Sequence, residues 1–281
     1  MENFDNNTGT LYLVATPIGN LGDISARAVK TLEDVDFIAA EDTRVTLKLL
    51  GHFGIKKQLV SYYEHNKRES GEKIIKRLLD GESCALVTDA GTPAISDPGE
   101  DLVRLCAGSD LPVVAIPGPC AAVAALALSG LTSGRFTFEG FLSTSRKSRF
   151  EHLAELKSEK RTMIFYEAPH KLIRTLNDML EVFGDRNITI SRELTKIYEQ
   201  TLHLTFSEAV SHFNERTPKG EFVLVIEGAR SEPTNESAIE DAVEIASDYI
   251  AQGMSVKDAS KRASEETGIA KNAIYREITK N

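Results

Sequence analysis

Apolar positions along this chain repeat in two alternating ways. Short, nearly continuous apolar runs are separated by longer segments in which apolar residues recur at helical spacing, and Gly or Pro punctuates most joins. The runs TLYLVAT, DFIAAE, QLVSYY, CALVT and PVVAIPG, beginning at residues 10, 36, 58, 84 and 112, read as strands. Between them, DISARAVKTLEDV, RVTLKLLGHF, ESGEKIIKRLLDG and GEDLVRLCAGS read as helices, and CAAVAALALSG follows as a fifth. Gly54 and Gly81 end the second and third of these. Strand and helix signals alternating at this spacing predict a parallel sheet with helices on its faces.

The pattern resets near LTSGR, residues 131–135, and a second series begins with FTFEGF. SRFEHLAELKSE, HKLIRTLNDMLEVFG and SEAVSHFNE read as helices there, and RTMIFYEA, NITISREL, EQTLHLTF and GEFVLVIEG as strands. NITISREL and EQTLHLTF are too close together for a crossover helix, so they must pair antiparallel. The second half is therefore mixed α/β.

ARSEPTNES, residues 229–237, reads as a linker, and everything after it is helical. Ser255 followed by Asp258 is a capping-box-like start, and Gly253 and Gly268 are stops. Three short helices with tight turns suggest a helix-turn-helix unit. A tri-helical cap packed on the body and a nucleic-acid contact both fit. The expected organisation is a disordered lead-in at 1–9, an N-terminal α/β domain at 10–132, a C-terminal α/β domain at 133–230 and a helical tail domain at 236–281.

Composition narrows the classes. The chain has 281 residues, 41% hydrophobic and 27% charged, an ordinary soluble balance. No apolar run suits a membrane span, and the N-terminal MENFDNNTGT lacks the pattern of a secretory signal. Three Cys without C-x-x-C and six His without HExxH indicate neither a disulfide framework nor a zinc site. A cytoplasmic, metal-free protein is expected. The net charge of −9 argues against a protein that coats nucleic acid, but the charge is uneven. Residues 146–161 carry six Lys or Arg against three Glu, whereas residues 232–248 carry six acids and no Lys or Arg.

In open α/β sheets ligands bind beyond the carboxyl ends of the strands. The loops there are PIGNLGD, EDTR, YEHN, DAGTPAISDPG and PGPCAA, then YEAPH, RELTK and KGE, all rich in Gly, Pro and carboxylates. No Walker loop and no G-x-G-x-x-G is present, and DAGTPAISDPG and PGPCAA hold no cation. Polyphosphate cofactors are therefore disfavoured. Small residues admit a flat ring, prolines fix the loop in advance, and carboxylates suit a ribose diol or a cation. S-adenosylmethionine has that profile. Strand-terminating turns account for the same Gly and Pro on structural grounds alone.

The ordered motifs LVATPIGNLGDIS, AAEDTR, VTDAGTPAISDPG, IPGP, FYEAPH, RELTK and KGEFVLVIEG resemble those of the ribosomal RNA small-subunit methyltransferase I family, a branch of the tetrapyrrole-methylase-like (class III) methyltransferases. The resemblance runs from Thr10 to Arg230, and the tail is similar to that family's C-terminal helical segment. It implies two α/β domains with S-adenosylmethionine in the cleft between them. The implied activity is methylation of a cytidine 2′-hydroxyl in the decoding region of 16S ribosomal RNA, by a homodimer that needs no metal. One departure is Tyr63, where the family commonly has His, which leaves His65 alone.

On this resemblance the cofactor residues are Pro17 and Gly19, then Gly91, Pro93 and Ser96 of the GTPAIS stretch. Asp89 is included because Thr92 stands where relatives carry an acid. Pro117, Gly118, Cys120 and Ala121 follow, then Tyr166, Glu167, Pro169 and Gly220. Methyl transfer is an in-line displacement, and a hydroxyl nucleophile benefits from a general base. Glu41, Asp42, His65, Glu167, Glu193 and Lys196 are the candidates. Glu41 with Arg44, and Glu193 with Lys196, also fit plain salt bridges. Arg44, His65, Arg146, Lys147, Arg149, Arg192, Lys196 and Lys219 are candidates for contact with RNA. Cations at 146–149 sit at a helix start, where the dipole disfavours them unless an anion binds. Two further readings remain: a tetrapyrrole or other small-molecule methylase of the same fold, and a non-catalytic RNA-binding assembly factor.

Overall fold

A computed structural model describes residues 8–229 and 235–279. The chain forms two compact units, Met1–Gly228 and Ala229–Asn281. The first contains two five-stranded sheets.

The first sheet comprises β1 (Leu11–Val14), β2 (Phe37–Ala40), β3 (Gln58–Ser61), β4 (Cys84–Val87) and β5 (Val113–Ile116) in the order β3-β2-β4-β1-β5. All four pairings are parallel, as the alternating pattern predicts. The connecting helices are α1 (Ala26–Asp34), α2 (Thr43–His52), α3 (Lys67–Leu79) and α4 (Gly99–Gly108). Successive strand residues face opposite sides, so β2 supplies both cores. Phe37 and Ala39 pack with Ile74, Leu78, Leu102 and Cys106 of α3 and α4. Ile38 and Ala40 pack with Ala28, Leu32 and Leu50 of α1 and α2.

The second sheet comprises β6 (Phe136–Phe141), β7 (Thr162–Glu167), β8 (Asn187–Arg192), β9 (Gln200–Thr205) and β10 (Phe222–Ile226), in the order β6-β7-β10-β8-β9. Only β6 and β7 are parallel, joined through α6 (Arg146–Leu156). β8 and β9 are antiparallel, as their short connection requires. α6, α7 (Leu172–Phe183) and α8 (Phe206–Asn214) supply Leu153, Leu176, Met179, Phe206 and Phe213 to one face of this sheet. The other face receives α5 (Ala121–Leu128), whose Ala122, Ala125 and Leu126 bury against Ile164, Val223 and Val225. A helix that follows the last strand of the first sheet thus packs on the second.

In the second unit α9 (Asn235–Ala251), α10 (Val256–Thr267) and α11 (Lys271–Ile278) pack through Ala242, Ala246, Ala259, Ala263 and Ile274. Alanines let the three axes approach closely. Ser255 caps α10 by accepting from the Asp258 N–H at 3.2 Å, and Gly268 ends it in the left-handed conformation. Most of the expected linker lies outside the described residues, as do residues 1–7 of the expected lead-in. Gly9 departs from that expectation: its N–H donates to the Leu78 carbonyl at 2.7 Å.

Candidate active site

The loops beyond the carboxyl ends of β1, β4 and β5 converge and face the second sheet. Between them lies a cavity of about 480 Å³. Asp89, Gly91, Ser96, Cys120, Ala121, Tyr166, Glu167 and Pro169 line it, so eight of the residues expected at a cofactor share one space. Its lining holds five carboxylates (Glu41, Asp89, Asp97, Glu167, Glu221) and no Lys, Arg or His. That donor set fits a small cationic molecule with a flat ring and opposes a polyphosphate.

The loop after β4 is tightly built. Asp97 Oδ1 accepts from the Ala94 N–H at 3.0 Å and the Gly99 N–H at 2.6 Å. This brace holds Ala94 and Ser96 at φ of 67° and 64°, a region unusual for residues other than Gly. Thr92 Oγ1 donates to the Pro119 carbonyl at 3.1 Å, tying the loop to the turn before α5. Burial pushes the Asp97 carboxyl above its ordinary value. Its role as a brace carries no sequence signal beyond the Asp-Pro-Gly triplet.

On the far wall, the Tyr166 hydroxyl accepts the Ala122 N–H at 3.1 Å, which joins β7 to the start of α5. Burial lifts its pKa to about 12. Glu167 is 2% exposed and accepts from Thr175 Oγ1 at 2.6 Å and from the Ala168 N–H at 2.8 Å.

A second cavity, of about 310 Å³, adjoins the first. Pro17 and Gly19 line this one and not the first, whereas Ile18 between them lines the first. Thr88 and Asp89 line both. Asp89 Oδ1 accepts the Asp42 N–H at 3.1 Å. Burial and then the neighbouring Glu41 push the Asp89 carboxyl up.

Other expected cofactor residues stand behind the lining. Pro93 is buried within the loop. Pro117 and Gly118 form the turn before α5, where a side chain on Gly118 would come within 2.9 Å of Ala15 Cβ. Gly220 lies beside Glu193, whose Cγ a Gly220 side chain would meet at 2.5 Å, and Glu221 reaches the cavity instead.

The base candidates separate. Asp42 caps α2 and pairs with Arg44 at 2.6 Å; hydrogen bonds from the Arg44 side chain and N–H hold its carboxyl down at about 2. The expected Glu41–Arg44 pair is replaced by this one, and Glu41 Oε2 accepts from Thr88 Oγ1 at 2.7 Å. Lys196 Nζ lies 2.9 Å from both Glu193 and Glu221. Burial pulls the Lys196 pKa down, but the bonds to Glu221 and Glu193 outweigh it and leave it raised, while the Lys196 bond lowers that of Glu193. A lysine held protonated and a carboxylate held ionised by it make poor bases. Neither lines a cavity, and the salt-bridge reading of this pair is the one observed.

The RNA candidates change most at Arg149. Its side chain is 2% exposed, with Nε donating to Asp178 Oδ2 at 2.7 Å and Nη1 to the Ser143 and Thr144 carbonyls. It is a buried anchor between α6 and α7 and cannot reach a phosphate. Arg146 lies over the Phe150 ring at 4.6 Å, and Lys147 is 86% exposed. Arg192 Nε donates to the Lys219 carbonyl at 2.6 Å. Arg44, His65 and Lys219 are exposed, and none of these six lines either cavity. Among the described residues no group of His, Cys, Asp and Glu gathers as a metal-ligand set, and no helix is long and apolar enough to cross a membrane.

The model of the tetrapyrrole (corrin/porphyrin) methylases matches residues 10–210. The chain is 48% identical over 268 residues to "Ribosomal RNA small subunit methyltransferase I" of Synechocystis sp., covering 95% of this chain and 96% of that protein. The protein of the same name from Halalkalibacterium halodurans is 49% identical over 270 residues, with 95% and 93% covered. Among solved structures, uroporphyrin-III C-methyl transferase from Thermus thermophilus complexed with S-adenyl homocysteine matches with a TM-score of 0.56 at 15% identity, covering 77% of this chain and 97% of that one. A cobalt precorrin-4 methyltransferase matches with a TM-score of 0.58 at 17% identity, covering 77% and 94%. At such identities the likeness is one of fold.

Proposed function

The chain belongs to the ribosomal RNA small subunit methyltransferase I family, and from that premise we propose that it methylates 16S ribosomal RNA of the small subunit, using S-adenosylmethionine, at the 2′-oxygen of a cytidine in the decoding region. The observation that carries the cofactor assignment is the cation-free, carboxylate-lined cavity at the strand ends. Glu41 and Asp97 offer acceptors there, Gly91 and Ala121 offer close approach to a ring, and Tyr166, Glu167 and Pro169 close the opposite wall. The bound donor supplies a methyl group on a sulfonium, activated for attack by a hydroxyl oxygen. The chain's part is to hold both reactants in line and to receive a proton.

The test uses labelled S-adenosylmethionine with small ribosomal subunits in one arm and a porphyrinogen in the other. Label in 16S ribosomal RNA supports the assignment. Label only in the porphyrinogen supports the small-molecule methylase, and calorimetry that detects no S-adenosylmethionine binding supports the assembly factor. A ribosomal substrate supports a cytoplasmic location.

The same reading includes a homodimer. β5 is one of the two edge strands of its sheet, and Val114 on it is 39% exposed; Val123 and Leu128 on α5 are 55% and 46% exposed. Apolar side chains beside an open strand edge favour cover by a second copy. Light scattering at twice the chain mass is the expected result, and a monomer at micromolar concentration overturns this part.

A further inference from the structure

The second cavity is not used by the cofactor assignment, and one carboxylate links it to the first. The strand-end stretch at residues 16–19 forms a partition, with Ile18 facing the larger cavity and Pro17 and Gly19 the smaller. Asp89 is the one ionisable residue that lines both. Its Oδ1 accepts the Asp42 N–H, and its Oδ2 has no hydrogen-bond partner among the described residues. Leu21, Val45 and Leu49 line the smaller cavity with apolar side chains, and Lys48 lines it too. Lys48 is exposed and has no ion pair among the described residues. A cavity lined by apolar side chains, a cation without an ion pair and an open carboxylate has the chemistry of a nucleotide site: walls for a base, a charge for its phosphate and an acceptor for a ribose hydroxyl.

We propose that the second cavity receives the acceptor nucleotide and that Asp89 takes the proton of its 2′-hydroxyl. This rests on the reading of the chain as a 16S ribosomal RNA methyltransferase. The hydroxyl loses its proton to Asp89 as its oxygen forms a bond to the methyl carbon. The methyl–sulfur bond breaks with its electron pair left on sulfur, which becomes neutral. Charge balances: carboxylate and sulfonium become carboxylic acid and thioether. The other carboxylates serve less well. Glu41 lines only the larger cavity and already accepts from Thr88, Glu167 is buried with two donors, and Asp42 is locked by Arg44. Asp97 and Glu221 also line only the larger cavity, where Asp97 braces its loop and Glu221 pairs with Lys196. The charged groups around Asp89 are Glu41 at the end of β2 and Asp42 and Arg44 at the start of α2. Burial and Glu41 raise its proton affinity against the pull of Arg44, in the direction a base needs.

Three full-length variants test this: Asp89→Asn, Lys48→Glu and Val45→Trp. Lys48 and Val45 are both exposed positions of α2, Val45 by 38%, so neither change disturbs a core. For Asp89→Asn, turnover on small subunits is expected to fall about 100-fold or more, and the acid limb of the kcat/KM pH profile is expected to disappear. Calorimetric affinity for S-adenosylmethionine is expected to stay within about threefold, because a base acts on the hydroxyl and not on the bound donor. For Lys48→Glu and Val45→Trp, KM for small subunits is expected to rise about tenfold, as is the Kd for small subunits measured with S-adenosylhomocysteine in place of the donor. Turnover of Asp89→Asn within about twofold of wild type, or a loss explained wholly by weaker S-adenosylmethionine binding, overturns the role of Asp89. Unchanged KM and Kd in both α2 variants overturn the nucleotide site. If the wild-type protein binds no S-adenosylmethionine or leaves 16S ribosomal RNA unlabelled, the functional reading fails and takes this inference with it. Failure confined to the variants sinks the inference alone.

Discussion

Thr16 and Gly91 exchange two backbone hydrogen bonds, the Thr16 N–H to the Gly91 carbonyl at 2.9 Å and the Gly91 N–H to the Thr16 carbonyl at 3.1 Å. Thr16 Oγ1 adds a bond to the Thr88 carbonyl at 3.2 Å. Together they fix the exits of β1 and β4 against each other, and the partition between the two cavities stands on that junction. Gly91 sits there at a φ of 89°, with ordinary contacts awaiting a side chain: Ile18 Cγ2 at 3.5 Å and the Pro119 carbonyl oxygen at 3.8 Å. Space is adequate and backbone conformation is not. Gly91→Ala is expected to lower unfolding free energy by about 1–2 kcal/mol in denaturant titration and to weaken S-adenosylmethionine binding. Wild-type values for both contradict the role given to the junction.

Arg149 and Asp178 form a buried pair, so removing one partner strands the other. Arg149→Met is expected to cost about 3–5 kcal/mol in denaturant unfolding. The double variant Arg149→Met with Asp178→Leu is expected to regain most of that. A single variant as stable as wild type contradicts burial of the pair.

Asp89→Asn is expected to stabilise the protein at neutral pH. The Asp89 carboxyl is raised in the folded state, so the unfolded chain ionises first as pH rises. Wild type therefore loses stability relative to the variant as pH climbs through the carboxylate range, and the two unfold alike at about pH 3 and below. The Asn carbonyl still accepts the Asp42 N–H. Thermal unfolding across this range checks it, and a variant less stable than wild type at neutral pH contradicts the sign.

Tyr166→Phe removes the acceptor for the Ala122 N–H while keeping the ring. A loss of about 1 kcal/mol in stability is expected. S-adenosylmethionine affinity falls with it, because Cys120 and Ala121 at the same helix start line the cavity. Calorimetry and denaturant unfolding measure the two effects.

Arg146→Glu combined with Lys147→Glu is expected to weaken binding of small subunits at low salt, with the gap to wild type closing as salt rises. Equal binding at low salt removes these two residues from the RNA surface.

The parallel sheet was legible because each strand is a short apolar run and helix-spaced segments alternate with these runs, two of them stopped by Gly54 and Gly81. The antiparallel β8–β9 pair was legible from the length of its connection. The destination of α5 was not: Ala-rich and apolar all round, it presents no preferred face, and only the second sheet's free side decides where it packs. Arg149 misled for a related reason. A cation in a basic stretch at a helix start reads as exposed, and its partner Asp178 lies on another helix. At EDTR, spacing suggested a Glu41–Arg44 pair, but capping of α2 drew Asp42 to Arg44 instead. The gathering of loop residues into one cavity follows the strand-end rule, whereas the division into two cavities depends on Thr16 and Gly91 meeting across β1 and β4.

The most direct measurement is mass spectrometry of 16S ribosomal RNA from cells with and without the gene. The expected result is a ribose methyl on a decoding-region cytidine that vanishes on deletion and returns with the wild-type gene, but not with Asp89→Asn. Retention of every decoding-region ribose methyl after deletion would contradict the proposed function.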